Sequence, residues 1–109
     1  VHELGVALEV LEIVAARSDG ARVRRVVLEI GKLAAVLPDA VRFAFELASE
    51  GTVAEGAALE IVETAGRARC RECRAVFDMD GLHGSCACGS SSLEWLAGTE
   101  LKVREMEVA

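Results

Sequence analysis

Hydrophobic residues near the start of the chain recur with helical spacing. Leu4, Leu8, Leu11 and Ala15 fall at i, i+4, i+7 and i+11, with Ala7 and Val14 beside them and Glu9, Glu12 and Arg17 elsewhere. This pattern predicts an amphipathic helix over residues 3–17 with that stripe facing inward, closed by a turn at Ser18-Asp19-Gly20. Over residues 22–30 the period drops to two. Val26, Leu28 and Ile30 share one face and Arg25, Val27 and Glu29 the other, the pattern of a half-buried strand. Pro38 then signals a second helix. Val41, Phe45 and Ala48 form its stripe, Phe43 and Leu47 flank it, and Gly51 stops it after about residue 50. Residues 57–64 return to strand, with Leu59 and Ile61 opposite Glu60 and Thr64. Residues 100–108 give a third strand, with Leu101 and Val103 opposite Lys102 and Arg104.

Between the last two strands the composition changes. Residues 66–92 are rich in Gly, Ser, Cys and Arg and poor in branched aliphatics, so they bury too little apolar surface to hold themselves together and suit a metal-nucleated module. The order helix, strand, helix, strand, metal knuckle, strand predicts an α+β fold: two helices on a three-stranded, antiparallel-type sheet, with the knuckle inserted. The expected division is residues 1–64 plus 98–109 for the α+β domain and 65–97 for the knuckle.

The chain's 109 residues suffice for one domain with a small appended module, and 52% of them are hydrophobic. Phe43, Phe45, Phe77 and Trp95 are its four aromatics, so the core must be built from Leu, Val, Ile and Ala. A net charge of −6 argues against nucleic acid as a partner. The local arginines at 22, 24 and 25, and at 67, 69, 71 and 74, read as solvated strand faces and a basic rim near the thiols. No window approaches a membrane span. The N-terminal stretch carries Glu3, Glu9 and Glu12 without a positive leading region, unlike a signal peptide. The expected location is therefore cytoplasmic, where thiols stay reduced and metal ligation is favoured over disulfides.

All four cysteines lie in one window, as Cys70-x-x-Cys73 and Cys86-x-Cys88, with twelve residues between Cys73 and Cys86. Four thiolates complete a tetrahedron and leave no open position, as in a structural Zn²⁺ site. Gly89 can take the positive φ that the second turn needs. The second pair departs from the usual Cys-x-x-Cys: Ser85 stands where the first cysteine would be, and His83 is a substitute ligand within reach in sequence. A rubredoxin-type iron centre and a thiol–disulfide switch are the alternatives to zinc.

The other candidate site is the opening Val1-His2-Glu3. The Val1 amine, the His2 amide and imidazole, and the Glu3 amide can offer one ion four nitrogens in a plane, with the Glu3 carboxylate nearby. Ni²⁺ or Cu²⁺ suits such a set and Zn²⁺ hardly does. Amine and imidazole must both be neutral, so loading should weaken as pH falls towards 6. The bland reading of the same residues is a frayed terminus.

Together these stretches resemble the HypA/HybF family of hydrogenase maturation factors. The matching segments are Val1-His2-Glu3-Leu4, Cys70-Arg71-Glu72-Cys73, Cys86-Ala87-Cys88-Gly89-Ser90, Gly98-Thr99-Glu100-Leu101-Lys102-Val103 and the acidic end Glu105-Met106-Glu107-Val108, in family order. The resemblance implies a non-enzymatic nickel metallochaperone, with nickel held by Val1, His2 and Glu3 and structural zinc by Cys70, Cys73, Cys86 and Cys88. It also implies delivery with a nickel-binding maturation GTPase of the HypB type to the large subunit of [NiFe]-hydrogenase, and in some organisms service to urease. Two positions depart from the family: Val1 replaces Met, as a GTG start codon written literally would give, and the second cysteine pair is Cys-x-Cys. Oligomeric state, monomer or dimer, stays open. The rival reading is a zinc-ribbon interaction adaptor in which His2 is incidental. No Ser/His/Asp set, phosphate loop or convergent carboxylate pair points to an enzyme.

Overall fold

The computed structural model describes residues 3–81 and 84–109. The order of elements is α1 (Glu3–Ser18), β1 (Val23–Gly31), α2 (Pro38–Ala48), β2 (Ala58–Thr64), β3 (Gly66–Cys70), β4 (Val76–Met79), β5 (Leu93–Ala97) and β6 (Leu101–Val108). Among the described residues no helix is long and apolar enough to cross a membrane. By internal contacts the chain divides into two units, one of Val1–Glu29, Val36–Val62 and Lys102–Ala109, the other of Ile30–Ala35 and Glu63–Leu101.

In the first unit α1 packs against α2. The buried face of α1 is Val6, Ala7, Val10, Leu11 and Val14, which corrects the expected stripe: Leu4 and Leu8 are 56% and 51% exposed. Apolar residues surround most of this helix, so two overlapping stripes satisfy the helical period. The buried one is rich in Val and Ala, whose short side chains permit close approach. On α2 Val41 and Phe45 are buried as expected, with Ala44 beside them, while Ala48, the third residue of the expected stripe, is half-buried. Ser49 caps the helix and Gly51 beyond it takes φ 79°.

A three-stranded sheet has the order β2-β1-β6. As β1 ascends, β6 descends: Arg22 accepts from the Ala109 amide, Arg24 lies near Glu107, and Glu29 pairs with Lys102 at 3.4 Å. That pair is antiparallel, in line with the expected antiparallel-type sheet. The sheet is nevertheless mixed, because β1, α2 and β2 form a crossover. Val23 donates to Val53 at one end of β1, and Lys32, just beyond the other end, donates to Thr64, so both partners ascend. As the central strand, β1 buries Val27 together with Val26 and Leu28. On the Val27 face Arg25 holds Glu60 at 2.7 Å, and long stems like these cover apolar surface while their charged heads stay wet.

The second unit contains three short strands in the order β4-β3-β5, both pairings antiparallel. Along β3, Gly66, Ala68 and Cys70 are buried. Arg67 and Arg69 point the other way and meet Asp78 and Glu94 at 3.8 and 3.4 Å. A small cluster of Leu33, Ala68 and Met79, with Phe77 and Leu93 against it, supplies the apolar interior. Gly31 lies where backbones nearly touch: a Cβ there would stand 2.0 Å from the Gly98 carbonyl oxygen, and Leu33 donates to that same oxygen at 2.7 Å. Gly98 itself takes φ 103°. The Glu100 carboxylate accepts from the Gly98 amide at 3.0 and 3.2 Å and from the Thr64 hydroxyl at 3.0 Å. This accounts for the Gly-x-Glu spacing, since the glutamate closes the turn that the glycine opens.

Candidate metal centre

Two turns bring the cysteines together. Cys70 ends β3, and the chain doubles back so that the Arg74 amide donates to the Cys70 carbonyl and the Cys70 amide to Ala75. Arg74 accepts a φ of 69° to close this turn. The second turn holds Cys86 and Cys88: Gly89 donates to the Cys86 carbonyl, Cys86 donates to Ser90, and Gly89 takes φ 94°. Pairing of β3 with β5 anchors the first turn, and the Arg71 amide reaches Ser92 at 3.0 Å.

All four Sγ atoms lie within 4.8 Å of one another. Cys70 and Cys88 approach to 3.7 Å and Cys73 and Cys86 to 3.4 Å. Thiolates at about 2.3 Å from a tetrahedral Zn²⁺ stand roughly 3.8 Å apart, so these two approaches are close to what zinc requires. The tight Cys-x-Cys spacing therefore still delivers both sulfurs, because the turn at 86–90 folds Cys86 inward (buried) and leaves Cys88 at the rim. His83, the expected substitute, lies outside the described residues.

Electrostatics within the tetrad are uneven. The Cys73 amide donates to the Cys70 sulfur at 3.4 Å. With help from the Glu72 amide and the Cys88 and Cys73 thiols, and against burial, it lowers the Cys70 thiol to about 6. The Ser90 amide pulls on Cys88, but the Cys86 and Cys70 thiols and burial outweigh it and push Cys88 up to about 12. Cys73 is also raised, the Ala75 amide being outweighed by Cys86, burial and Cys70. One thiol is thus ready to receive a metal, while at least two hold protons that the metal must displace.

Of the three N-terminal candidates, Val1 and His2 lie outside the described residues. Glu3 opens α1, and its carboxylate accepts from the Leu37 amide at 3.1 Å, just before α2.

An α+β unit and a separate small sheet carrying a closed four-cysteine cluster define a protein with a site fit for structural zinc. The family model described as "Hydrogenase/urease nickel incorporation, metallochaperone, hypA" matches residues 1–108, and the chain belongs to this HypA family, whose members are metallochaperones and not enzymes. It is 50% identical over 107 residues to the hydrogenase maturation factor HypA of Trichormus variabilis, a match covering 98% of this chain and 95% of that protein. It is 44% identical over 108 residues to that of Geobacter sulfurreducens, covering 98% of both. The solution structure of the Ni metallochaperone HypA from Helicobacter pylori superposes with a TM-score of 0.66 at 28% identity, covering 99% of this chain and 97% of that one.

Proposed function

We propose that the chain serves as a nickel metallochaperone in [NiFe]-hydrogenase maturation by dividing two metals between two sites. Zinc is fixed by Cys70, Cys73, Cys86 and Cys88, and nickel is carried by the Val1 amine, the His2 amide and imidazole, and the Glu3 amide. Residues 65–97 then form the zinc part and residues 1–64 with 98–109 the nickel part. The observation that carries this reading is the closed tetrad: four converging sulfurs leave a tetrahedral ion no position for a recipient's ligand. An ion meant to be handed on must be held elsewhere. A terminal amine with neighbouring nitrogens can be approached by a partner and emptied donor by donor.

The partners we assign are a nickel-binding maturation GTPase of the HypB type and the hydrogenase large subunit, with urease as a second client class that the family's description also covers. The cytoplasm is the setting in which such thiols stay reduced. A zinc-ribbon adaptor would account for the cysteines but not for a family match that begins at residue 1.

The test is nickel titration of tag-free protein beside the same protein with its α-amine acetylated and a His2→Ala variant. About one Ni²⁺ per chain is expected to bind, weakening as pH falls towards 6 as amine and imidazole take up protons. Both changes should abolish binding while zinc stays in place. Nickel uptake that survives both, or that holds constant between pH 6 and 8, would overturn the assignment.

A further inference from the structure

The start of α2 has an unusual arrangement of donors. Its N-cap is Leu37, whose apolar side chain cannot accept a hydrogen bond, and Pro38 follows as the first helical residue. In a capping box the side chain three residues on would accept from the N-cap amide, but that position is Ala40, which has no acceptor. Leu37 nonetheless holds its place: its carbonyl accepts from Val41 at 3.1 Å to begin the helix, its backbone is extended at φ −85°, ψ 113°, and its side chain is 68% exposed. With no burial to fix it, the residue is held through its backbone. The acceptor for its amide comes from α1: Glu3 Oε2, at 3.1 Å, across 34 positions of sequence. A carboxylate there also lies at the positive end of the α2 dipole, where negative charge is favoured.

Glu3 is also the first residue of α1. The opening amides of a helix have no intrahelical carbonyl to donate to, so a metal can claim the amide of this residue without unwinding the helix. The side chain of the same residue is tied to α2.

We propose that Glu3 is a positioning residue: its carboxylate anchors the first turn of α1 to the N-terminus of α2 through the Leu37 amide, and so fixes the Glu3 amide against which the terminal amine and imidazole close on nickel. The carboxylate itself is not a nickel ligand. This rests on the terminal nickel site above and deepens it, since the start of α2 becomes part of the apparatus that sets how firmly nickel is held.

The experiment compares Glu3→Ala and Glu3→Gln with the unsubstituted tag-free, zinc-loaded protein. Leu37 amide exchange is measured by NMR without nickel, and Ni²⁺ affinity and absorption spectrum are measured alongside. Glutamine keeps a carbonyl oxygen that can accept the Leu37 N–H, whereas alanine keeps nothing. Glu3→Ala is expected to speed Leu37 exchange and to weaken nickel binding, each by about tenfold, the scale of one hydrogen bond to a charged acceptor. Its nickel absorption band should not change. Glu3→Gln should restore most of both. Unchanged Leu37 exchange and affinity in Glu3→Ala would overturn the anchor. A Glu3→Gln variant that falls with Glu3→Ala in nickel affinity and shifts the absorption band would overturn it in favour of direct carboxylate ligation. If the unsubstituted protein shows no amine-dependent nickel binding, the nickel site itself fails and the positioning role with it, whatever the Leu37 amide does.

Discussion

Zinc binding should release protons in a number that the tetrad's uneven thiols set. A Cys₄ zinc site needs four thiolates. In the metal-free protein the Cys70 thiol, held down to about 6 by the Cys73 amide, is already ionised at pH 7.5. Cys88, pushed up to about 12, and Cys73, also raised, are not. Each zinc therefore displaces about two or more protons at pH 7.5, and a further one from Cys70 below pH 6. The logarithm of the zinc affinity should climb by about two or more per pH unit between 6.5 and 7.5, and more steeply below 6. The metal-free fold carries opposing contributions. Cys70's lowered value favours the folded state above its ordinary value of 9.0 and ceases to as pH falls through about 6. Cys88's raised value favours folding below 9.0 and ceases to as pH rises towards 12. The assay is competition with a chromophoric chelator across pH 5–8, with direct proton counting by an indicator in weak buffer. Release of fewer than two protons at pH 7.5, or a slope below two, would refute the reasoning, because Cys73 and Cys88 would then be either ionised beforehand or not ligands.

Three further outcomes follow from packing and ligation. Phe45→Ala empties the largest fully buried side chain, 1% exposed, and should cost about 3–5 kcal/mol. Phe43→Ala, two positions away and 63% exposed, should stay within about 0.5 kcal/mol; urea denaturation of the zinc-loaded protein reads both. Gly31→Ala places a Cβ against the Gly98 carbonyl and should destabilise by about 1–3 kcal/mol or more, with faster exchange of the Leu33 amide that donates there. Removing zinc with a strong chelator should speed exchange of the β3, β4 and β5 amides, since the apolar cluster of Leu33, Ala68 and Met79 that remains to hold them is small; hydrogen exchange before and after chelation measures it.

Much of this was legible in the sequence where a local pattern had a single solution. The α2 stripe is one such case, since Val41 and Phe45 are its strong inward candidates and both are buried. The cysteines are another, because all four lie in one short window at ligand spacing. The α1 face was not legible: Leu4 and Leu8 fit the helical period as well as Val10 and Val14 do, and only packing against α2 selects between them. Nor was the small sheet. Its strands are four or five residues long, and β3, Gly-Arg-Ala-Arg-Cys, has no β-branched residue. It exists through pairing with β5, more than twenty positions away, for example Arg69 with Glu94, and pairing at that distance leaves no local periodicity. The expectation of an antiparallel-type sheet holds for β1 with β6 but did not include the β1–α2–β2 crossover, as strand direction depends on connection geometry and not on which residues alternate. Glu3 was marked for its amide, while the reach of its carboxylate to Leu37 depends on how α1 meets α2.

The central claim is that this chain keeps zinc on sulfur and carries nickel on nitrogen. X-ray absorption at both metal edges, on tag-free protein loaded with one equivalent of each, tests it most directly. A zinc shell of four sulfurs at about 2.3 Å and a nickel shell of light donors without sulfur are expected. Sulfur in the nickel shell, or nickel displacing zinc from the cysteines, would contradict it.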